Sequence, residues 1–269
     1  MVISCNGANF VAQQLGYRMG EWREGDSASN AYYKPAETFA ARFEAFLLSV
    51  KRMGFDYVDI WTGELNWSWA TERQISDAAA LLQKHNMHVT SYAGGFGSSE
   101  SELTKACRTI KALGNNILGG STSLLTSDRA TLVRVLEREG VVLAFENHPA
   151  EKTPQDVLAI IDGLPKELVG TAADTGWFGT HGYDAALALE ELSARLFLVH
   201  LKDVRAPGAH DTCRYLQGCV PVERCIEVLT RLGYTGALSV EHEPHDFDPT
   251  EDIIASRKLL EGWLKSKAG

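Results

Sequence analysis

Apolar and polar positions along this chain follow two alternating periods. Stretches with apolar residues at helical spacing, such as Phe39, Phe43, Phe46, Leu47 and Val50, or Leu103, Cys107 and Ile110, give way to short runs that are almost continuously apolar. The first pattern predicts amphipathic helices facing a core, the second predicts strands buried on both faces. A recurrent stop stands between them: Lys-Arg-Met-Gly54, Gln-Lys-His-Asn86, Lys-Ala-Leu-Gly114, Glu-Arg-Glu-Gly140 and Thr-Arg-Leu-Gly233. Basic side chains in a last helical turn, then Gly or Asn, terminate helices. Helix starts are marked by capping boxes at Thr71-Glu-Arg-Gln74 and Ser99-Glu-Ser-Glu102, and by a cap residue ahead of Pro at Thr153-Pro154 and Asp248-Pro249.

These signals place strands at 2–6, 55–61, 87–92, 116–120, 141–146, 168–174, 196–201 and 237–241. Eight strands alternating with helices, without a linker rich in Pro, Gly or Ser, predict α/β architecture closed as a single (β/α)8 TIM barrel over residues 1–269, a length that suits that fold. A doubly wound open sheet would call for a phosphate loop. Gly94-Gly95-Phe96-Gly97 lacks the third glycine of a dinucleotide fingerprint, and Gly119-Gly120-Ser121-Thr122-Ser123 only approaches a nucleophile elbow, so both read as strand-to-helix turns. Residues 10–34, with Trp22, Tyr32 and Tyr33, form a candidate lid loop after strand 1.

Four of the predicted strands end on a residue able to bind a metal: Val-Leu-Ala-Phe-Glu146, Gly-Thr-Ala-Ala-Asp174, Phe-Leu-Val-His200 and Leu-Ser-Val-Glu241. In a barrel the C-terminal strand ends share one rim, where catalytic groups sit. Side chains two apart share a face, so Ala144, Ala172, Leu198 and Ser239 fill the barrel below these residues, while Phe145, Ala173, Val199 and Val240 point out to the helices. One register satisfies all four strands. Converging buried carboxylates repel one another and are costly to desolvate, and a divalent cation relieves both penalties. The competing reading gives each acid its own local Lys or Arg. Oxygen ligands with a single imidazole suit Mn²⁺, Mg²⁺ or Co²⁺ better than a structural zinc.

One step beyond the ligands lie His148, Lys202 and Glu243, with Arg205 following; His148, Lys202 and Arg205 are candidates to bind substrate hydroxyls or a developing oxyanion. Trp61, Tyr92 and Trp177 end three strands and could wall a sugar ring. His181, His210, His242 and His245 carry no distinguishing context. A net charge of −9 gives no basic footprint for nucleic acid. The absence of a signal peptide pattern and of an apolar run near 18 residues predicts a cytoplasmic protein without a membrane partner. Five cysteines without a Cys-x-x-Cys pair read as reduced thiols. Assembly into a homo-oligomer is left open.

The stretches Phe145-Glu146-Asn147-His148, Asp174-Thr175-Gly176, Val199-His200-Leu201-Lys202-Asp203 and Val240-Glu241 make the chain resemble the xylose isomerase-like TIM barrels, the sugar phosphate isomerase/epimerase superfamily. The resemblance implies one divalent metal ion, Mn²⁺ first with Mg²⁺, Co²⁺ or Zn²⁺ as alternatives, on Glu146, Asp174, His200 and Glu241. It implies Glu146 and Glu241 as the catalytic pair exchanging a proton with the substrate carbon. The expected activity is isomerisation or epimerisation alpha to the carbonyl of a ketose, keto-sugar or cyclitol, with dehydration or lysis of an inosose or 3-keto-glycoside through the same enediolate as the alternative. Two positions depart from the epimerase pattern: Trp177 replaces the histidine of Asp-x-x-His, and Leu216-Gln217-Gly218 replaces a Gly-x-Gly pair. The first argues against ketohexose 3-epimerase activity and against the endonuclease IV branch. Phosphodiester hydrolysis of abasic DNA and a non-catalytic sugar-binding barrel are the rival classes.

Overall fold

A computed structural model describes residues 1–267. The described residues form ten strands: β1 (Val2–Asn6), β2 (Tyr57–Trp61), β3 (His88–Gly95), β4 (Ile117–Ser121), β5 (Val142–Glu146), β6 (Val169–Asp174), β7 (Leu196–Leu201), β8 (Asp203–Val204), β9 (Thr212–Cys213) and β10 (Ala237–Val240). Eight of them close a barrel in the order β1-β10-β7-β6-β5-β4-β3-β2, with every neighbouring pair parallel. The eight predicted strands are these eight. β8 and β9 form a separate antiparallel ribbon in the long connection after β7.

The helical stripes face the barrel as their spacing predicts. The helix Ala36–Arg52 buries Phe39, Phe43, Phe46, Leu47 and Val50, and Glu100–Ala112 buries Leu103, Cys107 and Ile110. Each such side chain withdrawn from water contributes about 1.5–3 kcal/mol. Asn86 adopts a left-handed φ of 48°, as a non-glycine helix stop requires. Thr71 and Gln74 form the expected reciprocal box. At Ser99 only one half forms, because Glu102 Oε2 accepts from Ser98 N and Ser99 Oγ instead of Ser99 N. The last helix, Thr250–Lys267, starts one residue later than Asp248-Pro249 predicts, with Asp248 Oδ1 accepting from Thr250 N at 3.0 Å.

Two expectations are corrected. Gly94-Gly95 and Gly119-Gly120 are not turns but paired strand residues of β3 and β4. The strands approach so closely there that a Cβ on Gly120 would lie 2.0 Å from the Gly94 carbonyl oxygen. Residues 10–34 are not a continuous loop: 3-10 turns end at Phe10 and cover Gln13–Leu15, and Trp22–Tyr33 is an α-helix. Glu21 and Glu24 close a capping box on that helix, a start that is easily missed because its cap residue is Glu.

The barrel interior is packed below the rim by Ala144, Ala172, Leu198 and Ala237, while Phe145, Ala173, Val199 and Val240 join the outer core with the helices. This is the inward and outward parity the sequence predicts. Four cysteines are buried, Cys219 is exposed, and all five are free thiols. Among the described residues no helix is long and apolar enough to cross a membrane.

Candidate metal centre and active site

The C-terminal ends of β5, β6, β7 and β10 bring four predicted residues to one rim. Asp174 on β6 is in register with His200 on β7, and His200 with Ser239 on β10; Glu241 follows one residue past the strand, its N–H bonded to Leu201 O at 3.0 Å. Glu146, His200 and Glu241 each offer a ligand atom, all within 4.8 Å of one another. The Nδ1 atom of His200 is the focus, 2.5 Å from Glu146 Oε1 and 3.1 Å from Glu241 Oε2. Asp174 lies outside this trio. Its Oδ1 accepts from the N–H groups of Gly176 and Trp177 at the start of the short helix Thr175–Thr180, and its Oδ2 is 3.0 Å from Lys202 Nζ.

Lys202 is the cation of the rim. It is 3% exposed, and its Nζ sits 2.5 Å from Glu241 Oε1, 3.0 Å from Asp174 Oδ2 and 3.1 Å from Glu243 Oε2. Its alkyl stem crosses Gly176, where a Cβ would come within 2.6 Å of the Lys202 side chain. That close approach explains the glycine in Asp174-Thr175-Gly176. Burial favours the neutral carboxyl at Glu241, but the Lys202 ammonium and the His200 imidazolium outweigh it and hold its pKa well below the usual carboxylate range. Burial dominates at Asp174, pushing its pKa up to about 6 despite Lys202, and at Glu243, pushing it up to about 7. For His200, burial disfavours the charged ring, yet Glu146, Glu241 and Asp59 raise its pKa well above the ordinary value.

The chemistry of this donor set fits a divalent cation. It holds two carboxylates and an imidazole within reach of one point, and Asp174 Oδ2 and Glu241 Oε2 are buried without a hydrogen bond despite their ionic contacts. Buried polar atoms are normally satisfied, so oxygens left open at a cluster of ligand atoms are what a cation site presents.

Asp59, a residue the strand-end pattern misses, orders the histidine. Its carboxylate is fully buried in the barrel, with Oδ2 3.0 Å from His200 Nε2 and 3.2 Å from Ser239 Oγ, while Oδ1 accepts from Ser91 Oγ. A carboxylate on Nε2 fixes the proton there and leaves Nδ1 for a metal. The available signal was an acid inside the apolar run Tyr-Val-Asp-Ile-Trp, two residues before Trp61 and so on the same face. Asp59→Ala is expected to weaken Mn²⁺ binding by roughly 10–100-fold. Asp59→Asn, which keeps an acceptor for the Nε2–H, is expected to lose less. Isothermal titration of both variants checks this, and wild-type affinity in Asp59→Ala would remove Asp59 from any role at the site.

Above the ligands opens a cavity of about 520 Å³, an ordinary size for a small-molecule site. Glu146, His200, Lys202 and Glu241 reach it, as do three predicted wall or binding residues: His148, Trp61 and Trp177. Two predicted contacts do not. Tyr92 is fully buried away from the cavity, donating its hydroxyl to Leu65 O and accepting from Trp67 N. Strand alternation turns it outward, because its neighbour Ser91 faces in toward Asp59. Arg205 is exposed and outside the cavity, carried away by the β8–β9 ribbon in which its N–H bonds Asp211 O at 3.0 Å.

Further lining residues are Glu243, one step beyond the ligand Glu241, Trp22 from the candidate lid segment, and His210 and His245, which carry no distinguishing context in the sequence. Trp22 leans from the first turn of its helix edge-on to Trp61, centroids 5.4 Å apart, and donates its indole N–H to Glu243 Oε1 at 3.1 Å. His210 packs edge-on to Trp177 at 5.2 Å. His242 is buried off the cavity, its Nδ1 2.8 Å from Thr212 Oγ1, and His181 Nε2 is 3.0 Å from Pro149 O.

A family model described as xylose isomerase-like TIM barrel matches residues 47–266. L-ribulose-5-phosphate 3-epimerase UlaE of Shigella boydii serotype 18 is 25% identical over 138 residues, 50% of this chain and 47% of that protein. The chain thus spans about half the length of the curated relatives it matches. Among solved structures, L-ribulose 3-epimerase superposes with a TM-score of 0.72 at 15% identity, covering 99% of this chain and 95% of the other. A D-tagatose 3-epimerase-like protein gives the same TM-score and identity over 100% of this chain and 98% of that one. At such identity these structures bear on the fold alone. With the family match spanning most of the sequence, the chain belongs to the xylose isomerase-like TIM barrels.

Proposed function

We propose that this protein is a metal-dependent isomerase or epimerase that moves a proton at the carbon next to the carbonyl of a ketose, keto-sugar or cyclitol. The observation that carries this reading is the convergence of Glu146 and Glu241 on His200 Nδ1 at the floor of one cavity. Glu146, His200 and Glu241, with Asp174 beside them, would hold the ion, Mn²⁺ by donor type. When bound, such an ion supplies Lewis-acid stabilisation of negative charge on a carbonyl oxygen, worth several kcal/mol.

The chain's own groups account for the rest. One glutamate removes the proton from the carbon and the other returns one, a role that positioned carboxylates perform with about 10²–10⁴-fold effect. Return to the opposite face gives the epimer, and return to the neighbouring carbon gives the isomer. Lys202 keeps Glu241 ionised and aimed into the cavity. Trp61, Trp177 and His148 line the cavity, where indole rings would pack on the C–H surface of a sugar and the imidazole would meet its hydroxyls. Curated relatives named as sugar epimerases support the same class. Expulsion of a β-substituent after the same proton removal, giving a dehydratase or lyase on an inosose or 3-keto-glycoside, is the alternative outcome.

Deuterium incorporation tests the reading. The Mn²⁺-loaded protein, incubated in D₂O with free ketoses, ketose phosphates and inososes, is expected to exchange the alpha C–H of at least one of them. Chelation should stop the exchange and Mn²⁺ should restore it. Exchange that ignores the chelator, or no exchange with any substrate, would overturn the proposal.

A further inference from the structure

The charge around the cavity is lopsided in a way the catalytic reading does not require. Four carboxylates line it, from Glu21, Glu146, Glu241 and Glu243, against one lysine and no arginine. That lysine, Lys202, is enclosed by Asp174, Glu241 and Glu243. A divalent ion at the rim together with Lys202 would balance Glu146, Asp174 and Glu241, and would leave Glu21 and Glu243 as uncompensated negative charge in the lining.

Phosphate grips in barrels of this kind commonly use the loops after the last two barrel strands. Here the loop after β10 reads Glu241-His242-Glu243-Pro244-His245-Asp246-Phe247-Asp248, acidic and without Lys or Arg. In the connection after β7, Arg205 lies outside the cavity and Arg214 faces Asp252 at 3.9 Å. The walls are instead aromatic, from Trp22, Trp61 and Trp177, with His148, His210 and His245 between them. Indole faces pack against sugar C–H groups, and imidazoles exchange hydrogen bonds with hydroxyls.

Building on the keto-sugar reading above, we infer that the cavity takes an uncharged polyhydroxy ketone, a free ketose or an inosose, and rejects phosphorylated sugars. In this it differs from the relatives named for a ribulose 5-phosphate, with which the chain shares a quarter of its residues over half its length.

The test pairs ligands that differ only by the phosphate, L-ribulose with L-ribulose 5-phosphate and D-fructose with D-fructose 6-phosphate, together with an inosose. Binding to the Mn²⁺-loaded full chain is read by tryptophan fluorescence at about pH 8, where an ordinary imidazole is neutral. At least one neutral compound is expected to bind roughly 100-fold more tightly than the phosphorylated partner, the scale of a like-charge juxtaposition. The handicap of the phosphate should shrink as salt rises, while neutral binding stays constant, because screening acts only on the charged ligand. Equal or tighter binding of the phosphorylated compound, or no binding of any neutral one, overturns the inference. Parallel deuterium exchange separates the two levels. Faster exchange on a sugar phosphate defeats the selectivity and leaves the reaction class standing. Preferential neutral binding without exchange defeats the reaction class and leaves the selectivity standing.

Discussion

Glu146→Gln and Glu241→Gln are each expected to lower turnover and solvent exchange by about 10²–10⁴-fold, the contribution of a positioned carboxylate that carries the transferred proton. Gln keeps the shape and one carbonyl oxygen of Glu but cannot take up a proton at ordinary pH. The two sites are not equivalent. Glu146 is held by the His200 ring, whereas Glu241 contacts both His200 and Lys202. If they serve opposite faces of the substrate, each variant should lose epimerisation, and the variant that retains the removing base should still exchange the proton of one epimer. The double variant should lose little beyond the worse single one, because groups acting as a unit are not additive. Circular dichroism at wild-type amplitude shows that the fold is retained. Either single variant within tenfold of wild type in both turnover and exchange would remove that glutamate from the proton path.

Lys202→Met is expected to destabilise the metal-free protein by about 3–5 kcal/mol, the cost of breaking a buried ion pair from one side. Met matches the stem of lysine, so its packing over Gly176 is retained and only the ammonium is lost. What remains is Asp174, Glu241 and Glu243 without the cation between them. At this chain length the melting temperature should fall on the order of 10 °C. Added Mn²⁺ should recover more stability in the variant than in wild type, because binding to the folded state alone stabilises it and the ion also supplies the missing positive charge. Calorimetry with and without Mn²⁺ measures both effects. A variant melting at the wild-type temperature would mean that the three carboxylates tolerate one another without Lys202.

The closed barrel and most of its rim were legible because one rule governs them both. Strand alternation that sends Phe145, Ala173, Val199 and Val240 outward also sends Glu146, Asp174, His200 and Glu241 inward, and the structure keeps that parity. Asp59 obeys the same rule but stands alone in its strand, so nothing in the local pattern tells a satisfied interior acid from a ligand's partner. Only the folded barrel brings it across to His200, 141 residues away in sequence. The position of Tyr92 near a strand end suggests a rim residue, but the inward turn of Ser91 points its ring out. Arg205 shares a short loop sequence with Lys202, and the ribbon β8–β9, a two-residue pairing too brief to show a period, carries it away. His210 and His245 sit on connections whose course depends on tertiary packing, and residues of that kind decide which substrate fits.

Anomalous scattering from a crystal soaked in Mn²⁺ tests the central claim most directly. A single strong peak should appear between Glu146, His200 Nδ1 and Glu241, with the Asp174 carboxylate drawn to it and the Lys202 ammonium kept on Glu243. A peak elsewhere, or none while Lys202 still bridges Asp174 and Glu241, would contradict the account.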